Sequence, residues 1–113
     1  MASETRQNRI ARLIQKELGI IFQRESKEYY QGKIITVTVV RVSSDLGIAK
    51  VYVSIYPHKG KDEVLHEIQG NTKYLRYQLG QKIRHQIKKI PEINFYLDDS
   101  LDYIDRIDEL LNK

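Results

Sequence analysis

The chain has 113 residues, no cysteine and a net charge of +4. These properties suit one compact domain and exclude a disulfide framework or a thiolate metal site. No secretory leader opens the sequence, and no apolar run approaches the roughly 20 residues of a membrane span. We therefore expect a cytoplasmic protein without a membrane partner. Residues 1–91 carry a net charge of +9 and residues 92–113 a net charge of −5, and a basic body of this kind attracts polyanions.

Apolar residues at three- and four-residue steps predict a first helix that ends near Lys27. Ser3 is its predicted cap, with Glu4 in the first turn, where negative charge favours the helix dipole. Cations recur at similar steps on a separate ridge, which holds Arg9, Arg12 and Lys16. This helix therefore has one side for the core and one for solvent or an anionic partner.

Two segments rich in β-branched residues, Lys33–Val42 and Ala49–Tyr56, flank a turn at 43–47 and predict an antiparallel hairpin. Strict alternation would point Val39 towards the same face as Ile35 and Val37. A third strand is predicted at 93–97. Lys50, Tyr52, Tyr56 and Tyr96 would share the face away from the core, where rings could stack on bases and Lys50 could hold a phosphate. Ordinary strand propensity, or cover for a tail helix, would explain the tyrosines equally.

A short helix at 62–69 and a longer one at 72–89 are predicted between the hairpin and the third strand. An interruption at Gly70, Asn71 and Thr72 separates them, since Gly and Asn tolerate positive φ. The long helix would carry several further candidate RNA-binding cations, namely Lys73, Arg76, Arg84, Lys88 and Lys89. Pro91 is expected to stop it.

An acidic amphipathic helix at 100–111, within the tail 99–113, is predicted to close the chain. Helices on one face of a three-stranded sheet make an α+β layer fold. The expected architecture is therefore a single domain over residues 1–113, in the order α-β-β-α-α-β with a C-terminal helix.

The basic ridges favour RNA as the partner, although solvated flanks of amphipathic helices are the alternative. Asp98–Asp102 spells a DDxxD pattern that some magnesium enzymes use, but acids at a helix start are expected from the dipole. His58, His66 and His85 have no ligand spacing, and no phosphate-binding glycine motif is present. We expect no enzyme activity, no metal, no cofactor and no small-molecule substrate.

Several stretches together resemble the bacterial ribosome-binding factor A family. They are the hairpin segment 42–53, Arg9-Ile10-Ala11 and Gln15-Lys16-Glu17-Leu18 on the first helix, Leu75-Arg76 with Leu79-Gly80, and the segment Pro91–Ser100. The resemblance implies a type II KH-like domain that is not an enzyme, and we expect a monomer. It also implies binding to the 30S subunit or its precursor near the neck, assistance to processing and folding of the 5′ region of 16S ribosomal RNA, and an association with cold adaptation. The family's Ala-x-Gly kink is replaced here by Asn71-Thr72-Lys73, preceded by Gly70.

A protein-interaction module remains the alternative hypothesis. A partner would then bind the sheet face or the acidic tail helix without RNA. Nuclease treatment separates the two, because an association that survives complete RNA digestion favours the protein partner.

Overall fold

The computed structural model describes residues 5–98. They form α1 (Arg6–Glu25), a 3₁₀ turn (Tyr30–Gly32), β1 (Ile34–Val42), β2 (Ile48–Tyr56), α2 (Lys61–Gly70), α3 (Thr72–Ile83) and β3 (Glu92–Leu97). The predicted α+β class and element order are confirmed for this part of the chain. The predicted cap Ser3, the adjacent Glu4 and the tail helix at 100–111 lie outside the described residues.

The three strands form one sheet in the order β1-β2-β3. β1 and β2 are antiparallel, with Ile35 opposite Ile55, which confirms the predicted hairpin. β3 returns parallel to β2, with Phe95 beside Val51. A parallel return needs a crossover, and α2 and α3 supply it. All three helices pack on the face of the sheet that holds Val51 and Phe95.

The prediction that Ser3 caps α1 was wrong, because the N-cap lies two residues further along the chain. Thr5 is the N-cap, and its hydroxyl accepts a hydrogen bond from the Asn8 amide at 3.1 Å, which satisfies one of the unpaired donors of the first turn. The buried side of α1 centres on Phe22, whose ring packs edge-on against Tyr30 at 5.9 Å and Phe95 at 6.0 Å. Phe22 therefore joins α1, the 3₁₀ turn and β3 in one core.

A β-bulge breaks the alternation predicted for β1. Val37 lies opposite Val53, but the next paired residue, Val39, lies opposite Tyr52, so Thr38 is inserted between them. One extra residue moves every following side chain to the other face. The prediction that Val39 points inward was therefore wrong: it is 36% exposed, and Val40 packs against the core instead.

The prediction that the long helix continues to Lys89 was also wrong. α3 ends at Ile83, and Arg84 is its C-cap. The amides of Gln86 and Ile87 both donate to the Ile83 carbonyl, which closes a turn. The chain must leave the helix here to bring β3 beside β2. As a result, Lys88 and Lys89 lie on the segment that connects α3 to β3.

Candidate nucleic-acid interface

An open groove of about 430 Å³ lies between α1 and the segment that follows α3; we call it the basic groove. Its α1 wall carries four cations, Arg6, Arg9, Arg12 and Lys16, and its other wall is Gln86 and Ile87. The floor is apolar, formed by Ile10 and Leu13. Among residues 5–98, no acidic side chain lines it. The groove therefore combines a concentrated positive charge with a surface that a sugar or base could contact.

The geometry of α1 explains why these cations line up. Arg6, Arg9 and Lys16 are exposed, while Ile10, Ile14 and Leu18 from the same helix are buried. Steps of three and four residues keep each set on one side of the helix. Ten residues separate the first cation from the last, which places the row along roughly 15 Å of helix. A row of this length can face several consecutive phosphates.

Arg6 was not identified as a candidate from the sequence, although it lies three residues before Arg9 and continues the same ridge. The opposite wall could not be identified either, because Gln86 and Ile87 reach the groove only through the turn after α3. The structure therefore adds Arg6 to the predicted row Arg9, Arg12 and Lys16. It also shows the wall that faces this row across the groove.

A single residue, Asn71, separates α2 from α3. Its φ of −97° is ordinary, and Gly70 does not adopt positive φ either, contrary to the reason given for the interruption. Asn71 donates from its side chain to the Tyr30 hydroxyl at 3.3 Å, and the Thr72 hydroxyl donates to the Gln69 carbonyl at 2.7 Å. Burial raises the pKa of Tyr30, and the Asn71 hydrogen bond opposes that rise. Both side chains at this junction are therefore bound within the protein.

A second groove, of about 450 Å³, lies between this junction and β3. Gln69, Thr72 and Arg76 line one side, and residues 92–96 of β3 line the other. The Arg76 guanidinium donates to the carbonyls of Ile90 at 2.6 Å and Pro91 at 2.9 Å. Glu92 adds a negative charge. This groove is consequently much less positive than the basic groove, and Arg76 is engaged in holding the chain that leads into β3.

The remaining candidate cations are spread over the molecule. Lys73 is exposed on the first turn of α3, and Arg84 is exposed at its end. Lys88 and Lys89 are exposed on the connecting segment, and the charge of Lys89 contributes to lowering the pKa of Asp45 in the hairpin turn. None of these four lines the basic groove.

Lys50 lies on the face of the sheet opposite the helices, directly across from Arg41 on β1. On the same face Tyr52 and Tyr96 stack on each other with ring centroids 5.4 Å apart. Tyr56 packs edge-on against His58 instead. The structure thus separates Lys50 from the cations of α1 by the full thickness of the domain.

Residues 5–98 show neither a cluster of metal ligands nor a membrane-spanning helix. Within them, no three His, Asp or Glu side chains come together as a metal site. Of the Asp98–Asp102 pattern only Asp98 is described, and it accepts a hydrogen bond from the Thr38 hydroxyl at 2.5 Å. No helix in this range is long and apolar enough to cross a membrane.

Comparison with known proteins identifies the family. The family model described as "Ribosome-binding factor A" matches residues 6–111. The chain belongs to the ribosome-binding factor A family. The ribosome-binding factor A of Cytophaga hutchinsonii is 48% identical over 96% of this chain and 81% of its own. That of Christiangramia forsetii is 44% identical over 96% of this chain and 84% of its own.

Solved structures of ribosome-binding factor A share the fold. The Thermotoga maritima protein, a putative ribosome-binding factor A, superposes with a TM-score of 0.59 at 27% identity, over 85% of this chain and 90% of its own. The Thermus thermophilus crystal structure superposes with a TM-score of 0.68 at 17% identity, over 82% of this chain and 97% of its own. A homology model of the Thermus thermophilus protein was fitted into the cryo-EM map of its complex with the 30S subunit. It superposes with a TM-score of 0.50 at 22% identity, over 74% of this chain and 93% of its own. The expected KH-like α+β fold is confirmed.

Proposed function

We propose that this protein binds the 30S ribosomal subunit or its precursor and assists processing and folding of the 5′ region of 16S ribosomal RNA. It would act in the cytoplasm as a monomer, without catalysis, and in association with cold adaptation. Family membership supports the ribosomal role, and a relative has been fitted into a 30S complex. The observation that carries the RNA contact is the row of four cations in the basic groove.

The mechanism is electrostatic docking on a structured RNA surface. Each cation that neutralises a phosphate releases condensed counterions, so binding is favoured by entropy and weakened by salt. Lys and Arg contacts to phosphate position a protein but carry no sequence information. Structured RNA is recognised mainly by shape, phosphates and 2′-hydroxyls. The basic groove would therefore select the place on the subunit by the path of its backbone.

Residues 1–113 would function as one KH-like domain, with 99–113 as an acidic C-terminal helix. Within it, Arg9, Arg12 and Lys16 would make the main phosphate contacts together with Arg6. Lys73, Arg84, Lys88 and Lys89 would make secondary contacts. Lys50 and Arg76 are less suited to this role, because Lys50 faces away from the groove and Arg76 is bound to backbone carbonyls.

Co-sedimentation with purified 30S subunits tests the proposal. The protein should pellet with 30S subunits at low salt and be released progressively as salt rises. Treatment of the complex with nuclease should abolish the association. Protein that stays in the supernatant at low salt would contradict ribosome binding, whereas association that survives complete RNA digestion would favour a protein partner.

A further inference from the structure

One face of the sheet has no helix packed on it within residues 5–98. The helices cover the side that holds Val51 and Phe95. The other side, here called the outer face, presents exposed large apolar residues from all three strands, namely Ile34, Val39, Ile48, Tyr56 and Tyr96. Ile34 is 63% exposed and Tyr56 is 57% exposed. Exposed apolar side chains gathered on one face mark an interaction surface.

The outer face also carries an unfavourable pair of charges. Arg41 on β1 and Lys50 on β2 are direct cross-strand partners, and both are exposed. Like charges at this position repel each other and destabilise the pairing. Among the described residues neither forms an ion pair with an acid. An acidic partner placed over this pair would remove the repulsion.

The chain reaches the outer face at Asp98, the last described residue. The Asp98 amide donates to the Val53 carbonyl at 2.7 Å, which extends the ladder of β3. Its carboxylate accepts from the Thr38 hydroxyl on β1 at 2.5 Å. β2 lies between these two strands, so the side chain of Asp98 lies across β2. Ser54, which alternation places on this face of β2, is only 6% exposed, in agreement with a chain that crosses the sheet at this level.

The sequence after Asp98 complements this surface. Residues 99–113 hold five acidic and two basic side chains, a net charge of −3, and apolar residues recur at Leu101, Ile104, Ile107, Leu110 and Leu111. Fifteen residues in a helix would span roughly 22 Å. The Arg41–Lys50 pair lies three residues from the end of β3 along the sheet, which is roughly 10 Å. The segment is therefore long enough to reach it.

We propose that residues 99–113 bind the outer face of their own sheet, covering its apolar side chains and neutralising Arg41 and Lys50. The segment starts on this face, so its local concentration there is in the millimolar range typical of short tethers. A tethered acidic segment therefore competes well with any free anion. The outer face would be closed to RNA, which would leave the helical face as the ribosome-binding side. The inference does not depend on ribosome binding, and its test needs no RNA.

Paramagnetic labelling of the full chain tests the proposal. The protein has no cysteine, so Asn112→Cys gives a single site for a spin label. Backbone amide signals near Arg41 and Lys50 should broaden, while those of α1 near Arg9 should not. The same label in a chain that also carries Ile104→Asp and Ile107→Asp should lose this broadening. Unchanged chemical shifts of buried Ile14 and Val51 would show that the domain of this variant stays folded.

Four results would overturn the proposal. Broadening concentrated on α1 would place the acidic segment in the basic groove, and uniform or absent broadening would leave it unbound. Broadening transferred from a labelled chain to a separate, isotopically labelled chain would assign the contact to a second copy. Shifts of Tyr52 and Tyr96 on addition of a single-stranded RNA to the intact protein would assign the outer face to RNA.

Discussion

Removal of cations from the basic groove should change the salt dependence of RNA binding by a calculable amount. Replacing Arg6, Arg9 and Lys16 with Gln removes three of the four cations that line the groove. Each neutralised phosphate contributes about 0.7–0.9 to the slope of log affinity against log salt. Three contacts therefore contribute about 2–3 to that slope. Between 50 and 200 mM salt, the wild-type protein should lose roughly 20–40-fold more affinity than this variant.

The assay is a salt titration of binding to 30S subunits or to a labelled fragment of 16S ribosomal RNA. A matched control replaces Arg24, Lys27 and Lys59 with Gln, which lowers the net charge by the same three units. None of these three residues lines the basic groove. The control should therefore keep nearly the wild-type slope. Equal slopes for the groove variant and the wild type, or an equal fall in the control, would refute a localised phosphate contact.

Three further predictions concern the residues that hold the site in place. Arg76→Lys keeps the charge but loses the two-pronged contact with the carbonyls before β3. The free energy of unfolding measured in urea should fall by about 0.5–1.5 kcal/mol, because a lysine can replace only part of this contact. A loss of RNA affinity at unchanged stability would contradict this structural role. Phe22→Ala leaves a cavity at the centre of the core and should lower the free energy of unfolding by about 3–5 kcal/mol. A decrease below about 1 kcal/mol would contradict this central role and show that the core can collapse around the cavity. Hydrogen bonds from the Ser43 hydroxyl and the Gly47 amide hold the pKa of Asp45 below its ordinary 3.8. The stability that Asp45 contributes is therefore complete above the unfolded-state pKa and is lost as pH falls through the lower folded-state value. Asp45→Asn should consequently make the free energy of unfolding depend less steeply on pH at acid pH. Superimposable curves of unfolding free energy against pH for the variant and the wild type would contradict this role of the turn.

The strands were predictable because their side chains alternate with a period of two. β2 follows that pattern from Lys50 to Tyr56 except at Ser54, which alternation places on the outer face but which is only 6% exposed. β1 follows it only as far as Val37, because the bulge at Thr38 inserts one residue without any change in composition. Thr suits a regular strand as well as a bulge, so the sequence carried no signal for the shift.

The end of α3 was mispredicted because local preference and tertiary contacts disagree. Ile87 continues the four-residue ridge of Leu79 and Ile83, and the intervening residues are compatible with a helix. The structure instead turns after Ile83, and Ile87 packs against the core from an irregular segment. The contact that restrains the return of the chain, Arg76 with the carbonyls before β3, joins residues 14 and 15 positions apart and could not be deduced from periodicity.

The candidate site was predictable to the extent that it lies on one helix. The row Arg9, Arg12 and Lys16 follows from helical spacing alone, and the same spacing would have included Arg6. The sequence could not show which of the other cations lie away from this site. In the fold, Lys50 lies on the opposite face of the sheet, and Arg76 is bound to backbone carbonyls. A count of charges gives these residues equal weight, although their positions and hydrogen bonds in the fold differ.

The most direct test of the central claim is mapped crosslinking between this protein and the RNA of 30S precursors. A photoreactive residue at position 9, in the basic groove, should crosslink to 16S ribosomal RNA at a defined site. The same residue placed at position 50, on the outer face, should give little or no RNA crosslink. Crosslinks from position 50 but not from position 9, or crosslinks from position 9 to ribosomal proteins alone, would contradict the account.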